Sequence, residues 1–189
     1  KSIAVFLILL SPTNKFLIMN SSLPTRSFML TYGAILGALS VVFSFMLYTM
    51  DMHYQGGTMV TVVSVVLSVA LYAVGMYQYR AANAGLMTFW QGVKLGVGFA
   101  LISGIIVVLF NLILTRVIDP ETMTKAMDFQ REQLIENTEL TIEQIDAQLA
   151  AMQKFQTPAI QAAFGLLFSV IFGFLLSLLP AAILRKSEE

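Results

Sequence analysis

The sequence predicts an all-α integral membrane protein: a four-helix bundle with an extracytoplasmic helical hairpin inserted between its third and fourth membrane spans. Three observations support this fold class. Of the 189 residues, 57% are hydrophobic and only 12% are charged, whereas soluble domains carry about 25% charged residues. Four apolar stretches without charge are each long enough to cross a bilayer. Between the third and the fourth of them lies a long polar segment.

The composition also excludes several functional classes. Mean hydropathy is +0.79, so the chain has too little polar surface for a water-soluble domain, and disorder requires the opposite bias. Lys+Arg and Asp+Glu number 11 each, which is not the basic excess expected of a nucleic-acid-binding protein. Because the chain has no cysteine, it can have no disulfide framework, no thiolate chemistry and no cysteine-ligated metal.

Each of the four charge-free stretches is predicted to be a membrane span. A bilayer core about 30 Å thick requires about 20 residues of helix, and a chain in lipid must satisfy its backbone hydrogen bonds internally, so the spans are predicted to be helices. The lipid bilayer is therefore the first predicted partner. The predicted spans are 28–50, 58–79 and 95–115, which form one unit over 28–115, and 159–184, which is followed by a tail over 185–189.

Basic residues in the flanks predict the orientation, because cytoplasmic loops of membrane proteins are enriched in Lys and Arg. Arg26 precedes the first span, Arg80 and Lys94 bound the loop after the second, and Arg185–Lys186 follow the fourth. The polar segment 116–158 has eight acidic and four basic residues, a net charge of −4. We therefore expect both termini in the cytoplasm and this segment outside.

The N-terminal segment 1–27 contains a separate apolar run, Ile3–Leu10, which is too short to span a bilayer and ends at Ser11–Pro12. It could be the core of a signal peptide, although no small-residue cleavage site follows it. The interpretation that we favour takes Met19 as the natural start, with residues 1–18 arising from an upstream start or an expression vector.

The polar segment 116–158 is predicted to fold as a helical hairpin. Asp119–Pro120–Glu121 is typical of a helix start, with the aspartate as N-cap, and Thr141–Gln144 has the spacing of a capping box. A single helix of about 36 residues would run about 54 Å away from the membrane, whereas both ends of the segment must return to it. We therefore expect the chain to reverse near Asn137–Leu140.

The second hairpin helix has a stripe of apolar residues at helical spacing, and such a stripe is expected to be buried against another helix or protein. Either the first hairpin helix or a partner protein could supply it, and the stripe is thus a candidate partner surface. Acidic residues nearby could suggest a cation site, but the predicted chain reversal separates them, and we favour a solvated acidic face. The stripe is Ile142, Ile145, Leu149 and Met152, and the acidic residues are Glu132, Glu136, Glu139, Glu143 and Asp146.

Small residues recur at every fourth position in the first, third and fourth spans. In lipid, helices associate where small side chains allow their backbones to approach closely. We expect these ridges chiefly to hold the bundle together, with self-association or contact with another membrane subunit as the alternative. The helix-packing residues are Gly33, Gly37, Gly92, Gly96, Ala100, Gly104, Gly165, Ser169, Gly173, Ser177 and Ala181.

The sequence contains no recognisable catalytic, cofactor-binding or metal-binding constellation. An ionisable residue within a span would indicate transport or proton transfer, and the four core spans have none. His53 is the one histidine of the chain, and a usual zinc site requires further ligands. We therefore predict that the protein is not an enzyme and binds no cofactor, and that His53 has no catalytic role.

The stretch that links the second and third spans resembles a known family. It reads Tyr79–Arg80–Ala81–Ala82–Asn83–Ala84–Gly85 and then Thr88–Phe89–Trp90–Gln91–Gly92–Val93–Lys94–Leu95–Gly96. This stretch is similar to the central signature of the family called domain of unknown function 4199 (DUF4199). Its members are four-span membrane proteins of Bacteroidetes. Trp90 stands where a small residue is expected from the family. The resemblance covers roughly 28–186 and implies a bacterial inner-membrane protein that starts near Met19. It implies no established activity.

The leading functional hypothesis is a non-enzymatic inner-membrane protein that serves as an accessory or scaffolding subunit of a larger membrane complex. Other membrane subunits, or a second copy of the chain, are the expected protein partners. Two alternatives remain: a small transporter or permeation component, and a membrane partner of a lipid-linked glycosyltransferase. A charge or polar stripe buried in the membrane would favour transport.

Overall fold

The computed structural model describes residues 25–186, so the predictions for Ile3–Leu10, for Met19 and for the tail beyond Lys186 lie outside the described residues. Six α-helices and one π-helical turn make up most of this part of the chain. They are α1 (Thr25–Thr49), α2 (Thr58–Ala82), α3 (Phe89–Ile113), the π-helical turn (Leu114–Ile118), α4 (Thr122–Asn137), α5 (Ile142–Gln153) and α6 (Pro158–Leu184).

Four helices are long and apolar enough to cross a membrane: α1, α2, α3 with its π-helical turn, and α6. The prediction of an all-α membrane bundle with four spans is thus confirmed. Only 17–28% of the residues in the most apolar windows of these helices are buried within the chain. Most of their apolar surface is therefore left for lipid or for other membrane helices.

The third span differs from its predicted bounds at both ends. It begins at Phe89 rather than Leu95, because Thr88 and Gln91 form a capping box in which each side chain accepts a hydrogen bond from the backbone N–H of the other. At its far end the helix widens into the π-helical turn, closed by the hydrogen bond of 2.7 Å from Asp119 N to Leu114 O. The span therefore continues past Thr115.

Helix α3 is the centre of the bundle and packs against α1 on one side and α6 on the other. Helix α2 lies mainly against α6 and α1. The largest fully buried apolar side chains of this core are Phe99 and Leu95 of α3, Met76 of α2 and Met87 of the loop between them. Since successive spans run in opposite directions, the bundle has two distinct ends.

The basic end of the bundle contains the starts of α1 and α3 and the ends of α2 and α6, with the basic residues Arg26, Arg80, Lys94, Arg185 and Lys186. Here Met87 and Lys186 exchange two backbone hydrogen bonds of 2.8 Å. The Arg80 guanidinium donates to the backbone oxygen of Leu184 at 3.2 Å. These bonds fasten the end of α6 to the loop between α2 and α3.

The hairpin end carries α4 and α5, which pack against each other and reverse between Asn137 and Ile142, as predicted. The Thr141 capping box at the start of α5 is confirmed. The prediction of Asp119 as N-cap is wrong, because α4 begins only at Thr122. Asp119 instead closes the π-helical turn, and its carboxylate accepts a hydrogen bond from the backbone N–H of Glu121 at 3.2 Å.

Candidate functional site at the hairpin end

The small-residue ridges of α3 and α6 face each other in antiparallel order. A Cβ atom added to Gly92 would lie 2.8 Å from Ala181 Cβ, and added to Gly104 it would overlap Ser169. A residue four positions further along α3 faces a residue four positions earlier along α6. The facing pairs, from the basic end towards the hairpin end, are Gly92 with Ala181, Gly96 with Ser177, Ala100 with Gly173, Gly104 with Ser169, and Val108 with Gly165.

The glycines of α1 lie against the opposite side of α3. A Cβ added to Gly33 would lie 2.6 Å from Ile102 Cβ, and one added to Gly37 would lie 2.7 Å from Ile106 Cδ1. All the helix-packing residues named from the sequence therefore lie at contacts within the chain. These residues hold the spans together, and the polar contacts described next lie at the hairpin end.

A polar cluster joins the hairpin to the loop between α1 and α2. His53 Nε2 lies 3.1 Å from Thr122 Oγ1 and 3.5 Å from the carboxylate of Asp119. Lys125 Nζ lies 3.0 Å from Asp119 and 3.8 Å from Asp51. The side chains of His53 and Asp119 are only 3% and 10% exposed. The cluster thus ties α4 to the loop through groups largely removed from water.

The ionisable groups of this cluster stabilise one another's charged forms. The hydrogen bond from Lys125 holds the pKa of the Asp119 carboxyl below its usual value of 3.8, although burial acts in the opposite direction. Asp119 raises the pKa of Lys125 by the same hydrogen bond. Both groups are therefore charged near neutral pH, and they form a charge-assisted pair.

The geometry around His53 also fixes which ring nitrogen carries the proton. The Thr122 hydroxyl donates to the backbone oxygen of Asp119 at 2.8 Å, so it accepts from His53, and we assign a ring proton to Nε2. The other nitrogen, Nδ1, is buried and makes no hydrogen bond within residues 25–186. In a nucleophile–histidine–carboxylate triad the hydroxyl and the carboxylate bind opposite nitrogens of the imidazole. Here the Thr122 hydroxyl and the Asp119 carboxylate both lie at Nε2 of His53.

Aromatic rings surround the imidazole and extend the contact from the bundle to the hairpin. The ring of His53 lies edge-to-face with those of Tyr48, at the end of α1, and Tyr54, at centroid distances of 5.2 and 5.3 Å. Tyr54 contacts Phe129 of α4 at 6.2 Å in the same geometry. Loop and hairpin therefore share an apolar wall around the polar cluster.

The apolar stripe of α5 divides into a buried and an exposed part. Ile145 and Leu149 are buried within the chain, whereas Ile142 is 59% exposed and Met152 is intermediate. Burial of Ile145 and Leu149 is what we expect if the first hairpin helix covers the stripe. Across the same face, Arg131 of α4 donates to Asp146 of α5 at 2.9 Å, and the two helices close over the middle of the stripe.

Two clefts flank these contacts. The hairpin cleft, of about 510 Å³, lies between α4 and α5 beside Arg131 and Asp146. The interface cleft, of about 340 Å³, lies where the π-helical turn meets the start of α6, and Arg116 and Gln161 line it. Both clefts are lined by Met123 and Gln156, so they adjoin.

The closed end of the hairpin exposes apolar and acidic side chains together. Ile135, Leu140 and Ile142 are 46%, 40% and 59% exposed. Four exposed glutamates surround them in the chain and take part in none of the four ion pairs among residues 25–186. We call this set the tip surface: Ile135, Leu140 and Ile142 with Glu132, Glu136, Glu139 and Glu143.

Sequence reasoning missed the cluster around His53 and the interface cleft. A lone histidine in a short loop gave no sign of a partner, because Asp119 and Thr122 lie far along the chain and approach it only through the π-helical turn. The signal for the earlier start of α3 was present, since Thr88 and Gln91 have capping-box spacing. In the part of the chain that the structure describes, no group of three or more His, Asp or Glu side chains could hold a metal ion.

The signature stretch lies at the basic end, and its polar residues have structural partners. Beyond Arg80 and the capping box, the side-chain amide of Asn83 donates to Leu86 O at 2.9 Å. Comparison with curated proteins and with solved structures found no match. The family described as "Protein of unknown function (DUF4199)" matches residues 31–186, which is most of the chain. The chain therefore belongs to the DUF4199 family.

Proposed function

We propose that this protein is a non-enzymatic accessory subunit of a larger inner-membrane complex and that it holds a partner protein on the tip surface of its hairpin. The observation that carries the proposal is the combination at that surface of three exposed apolar side chains with four glutamates that have no ion-pair partner among residues 25–186. Exposed apolar groups rimmed by polar ones mark interaction sites more often than they mark ordinary surface.

The charge of the tip surface defines the chemistry of the partner. Four carboxylates within the span 132–143 would be repelled by an anionic lipid surface and attracted to Lys and Arg side chains. The apolar residues between them would contact an apolar stripe. A partner segment with both basic and apolar residues, such as a basic amphipathic helix, meets these requirements.

The cluster around His53 supports a structural rather than a catalytic role for the hairpin end. The hydroxyl next to the imidazole, that of Thr122, donates its proton to a backbone oxygen. It is therefore not poised as a nucleophile. Lys125 neutralises Asp119 through a hydrogen bond of 3.0 Å, so this carboxylate is committed to holding the hairpin in place.

Co-purification tests the proposed docking. The tagged chain, isolated from native membranes in mild detergent, should bring down a stoichiometric partner. Ile142→Asp should remove it, because a buried carboxylate at an apolar contact is strongly unfavourable. Ala147→Asp is the matched control: it adds the same charge to an exposed position of α5 outside the tip surface, and association should persist.

The outcomes separate the competing functions. Equal loss of the partner in the two variants would show that charge alone matters and would contradict docking at the tip surface. A chain that is isolated only as a homodimer would favour the permeation hypothesis instead. Limited proteolysis of both variants checks that the hairpin remains closed, as expected because residue 142 is 59% exposed.

The proposal also requires the hairpin to lie outside the cytoplasm with both termini inside, as the basic flanks predict. The chain has no cysteine, so single cysteines report topology directly. In intact spheroplasts an impermeant thiol reagent should label Asn137→Cys at the hairpin, whereas Ala82→Cys at the basic end should react only after permeabilisation. The reverse pattern would contradict the orientation.

A further inference from the structure

We propose that the interface cleft is a binding site for a phosphate ester: the headgroup phosphate of a membrane phospholipid or a soluble ester of the same chemistry. This inference is independent of the tip surface and concerns the opposite, membrane-proximal part of the hairpin end. It rests on a cavity at the end of a span, on an arginine without a carboxylate partner, and on two glutamine amides that line the same cavity.

Arg116 is the cation of the site. It lies in the π-helical turn that ends the third span, the level at which a membrane helix meets lipid headgroups. The turn separates two neighbouring side chains: Asp119 joins the cluster around His53, whereas Arg116 lines the interface cleft. Among residues 25–186, Arg116 takes part in none of the four ion pairs.

The planar guanidinium of arginine matches two oxygens of a phosphate and can donate to both at once. The exposed Arg116 therefore has the donors for a phosphate and no acidic partner in an ion pair within the described residues. π-Helical turns recur at functional sites in membrane and soluble helices because they displace a side chain from the regular helical position.

Two glutamine side chains supply further donors. Gln161 of α6 and Gln156 just before it line the cleft together with Arg116. The side-chain amide of Gln161 donates to the thioether sulfur of Met123 at 3.9 Å. Since a thioether is a weak acceptor, this amide is available to a stronger one, and a phosphate oxygen would supply it.

Arg116 is the one charged side chain among the described residues that line the interface cleft. Asp119 is neutralised by Lys125 on the far side of the π-helical turn. Glu121 is exposed and is not among the residues that line the cleft. Of the acidic residues of the hairpin, Asp128 and Asp146 line the adjoining hairpin cleft, and Asp146 is paired with Arg131.

The dimensions fit a phosphate ester with a polar substituent. The cleft of about 340 Å³ falls within the range of about 300–1,000 Å³ typical of ligand sites. Leu112 and Pro158 give it an apolar side, suited to the glycerol and acyl part of a lipid. At Met123 and Gln156 it adjoins the hairpin cleft, into which a headgroup substituent would extend towards Asp128 and Gln153.

Binding to the purified full-length chain in detergent tests the site. Three probes are titrated: dioleoylphosphatidylglycerol, dioleoylglycerol without phosphate, and glycerol phosphate. Lipid occupancy is read by native mass spectrometry and binding of the soluble ester by thermal stabilisation. The parent chain should bind at least one phosphate probe and should not distinguish dioleoylglycerol from detergent. Arg116→Gln should weaken phosphate binding about tenfold or more, as expected for loss of a charge-assisted contact.

The control is Lys154→Gln, which removes one positive charge from an exposed position at the same end of the molecule, outside the cleft. Its binding should equal that of the parent. Arg116→Lys retains the charge without the planar fork and should bind with intermediate strength. Gln161→Leu should weaken binding while leaving every charge in place, so it tests the site even if Arg116→Gln fails to fold.

The probes identify the source of the phosphate. Arg116-dependent binding of the phospholipid alone assigns the site to a lipid headgroup, and Arg116-dependent binding of glycerol phosphate assigns it to a soluble ester. The proposal is overturned if neither phosphate probe binds the parent chain. It is likewise overturned if Lys154→Gln weakens binding as much as Arg116→Gln does, because the effect would then be one of overall charge.

Discussion

The two ends of the bundle use polar residues in opposite ways. At the basic end, three polar side chains of the signature stretch bind the backbone of their own chain: Arg80 binds Leu184 O, Asn83 binds Leu86 O, and Thr88 binds the start of α3. At the hairpin end, His53 has a buried nitrogen without a partner, and Arg116 has no ion pair among residues 25–186. The basic end thus satisfies these side chains internally, whereas the one buried side-chain nitrogen or oxygen without a hydrogen bond among residues 25–186 lies at the hairpin end.

This difference separates the residues that identify the family from the residues that are candidates for function. The signature stretch is the most specific part of the sequence, and in the structure it fastens helices together. The hairpin end has less distinctive sequence, yet it contains both clefts and the tip surface. A motif can thus identify a family through its folding requirements alone.

The largest predicted effect tests whether α3 and α6 pack more tightly in the middle of their contact than at the hairpin end. In Gly96→Ala the new Cβ atom would overlap Ser177, so α3 and α6 must separate, and we expect a loss of about 1–3 kcal/mol. At Gly165 the same atom meets only Val108, at 3.2 Å, and the better helix propensity of alanine offsets the contact. Thermal unfolding in detergent measures both.

The control for this pair is Gly57→Ala, because a Cβ atom at Gly57 meets nothing within 4 Å. Because Gly57 is the N-cap of α2, where alanine is less favourable than glycine, the control should lower the free energy of unfolding, but by less than Gly96→Ala does. Equal losses for Gly96→Ala and Gly165→Ala would mean that the middle of the contact and its hairpin end are packed alike, and the proposed difference in packing would be wrong.

A smaller, local effect is predicted for acid at the hairpin end. The pKa of Asp119 is lower in the folded chain than the ordinary 3.8, so its contribution to docking of the hairpin is fully present above that value. The contribution is lost as the pH falls through the lower, folded pKa. Hydrogen–deuterium exchange should then show α4 opening while the spans stay protected.

Asp119→Asn separates this effect from general acid sensitivity. The variant should show faster exchange in α4 already at neutral pH, and its exchange in acid should change less than that of the parent chain. If α4 in the parent is equally protected above and below this pH range, the cluster around His53 does not hold the hairpin.

The smallest predicted effect is a gain in stability at the basic end. Ala84 has φ of +53°, a left-handed conformation that costs a residue with a side chain about 1–2 kcal/mol and glycine almost nothing. Ala84→Gly should therefore stabilise the chain by up to about 1 kcal/mol, after the greater entropy of glycine in the unfolded chain is subtracted. An unchanged or lowered unfolding temperature would contradict this reading of the loop.

Most of the bundle could be predicted from the sequence because its determinants are local. The charge-free length of each span, the four-residue spacing of small residues and the Thr141 capping box are all properties of neighbouring residues. The π-helical turn is different, since it depends on how the end of α3 packs. Because that turn brings Asp119 to His53 and directs Arg116 to the interface cleft, neither site could be derived from spacing along the chain.

The repeating contact between α3 and α6 has a consequence for how the chain finds its register. Small residues recur once per turn on both helices, so sliding α6 by one turn, about 5.4 Å, would again set small residues against small residues along much of the interface. A periodic contact of this kind favours several alignments almost equally. The paired backbone hydrogen bonds between Met87 and Lys186 form in only one of them, and they act as the stop that selects it.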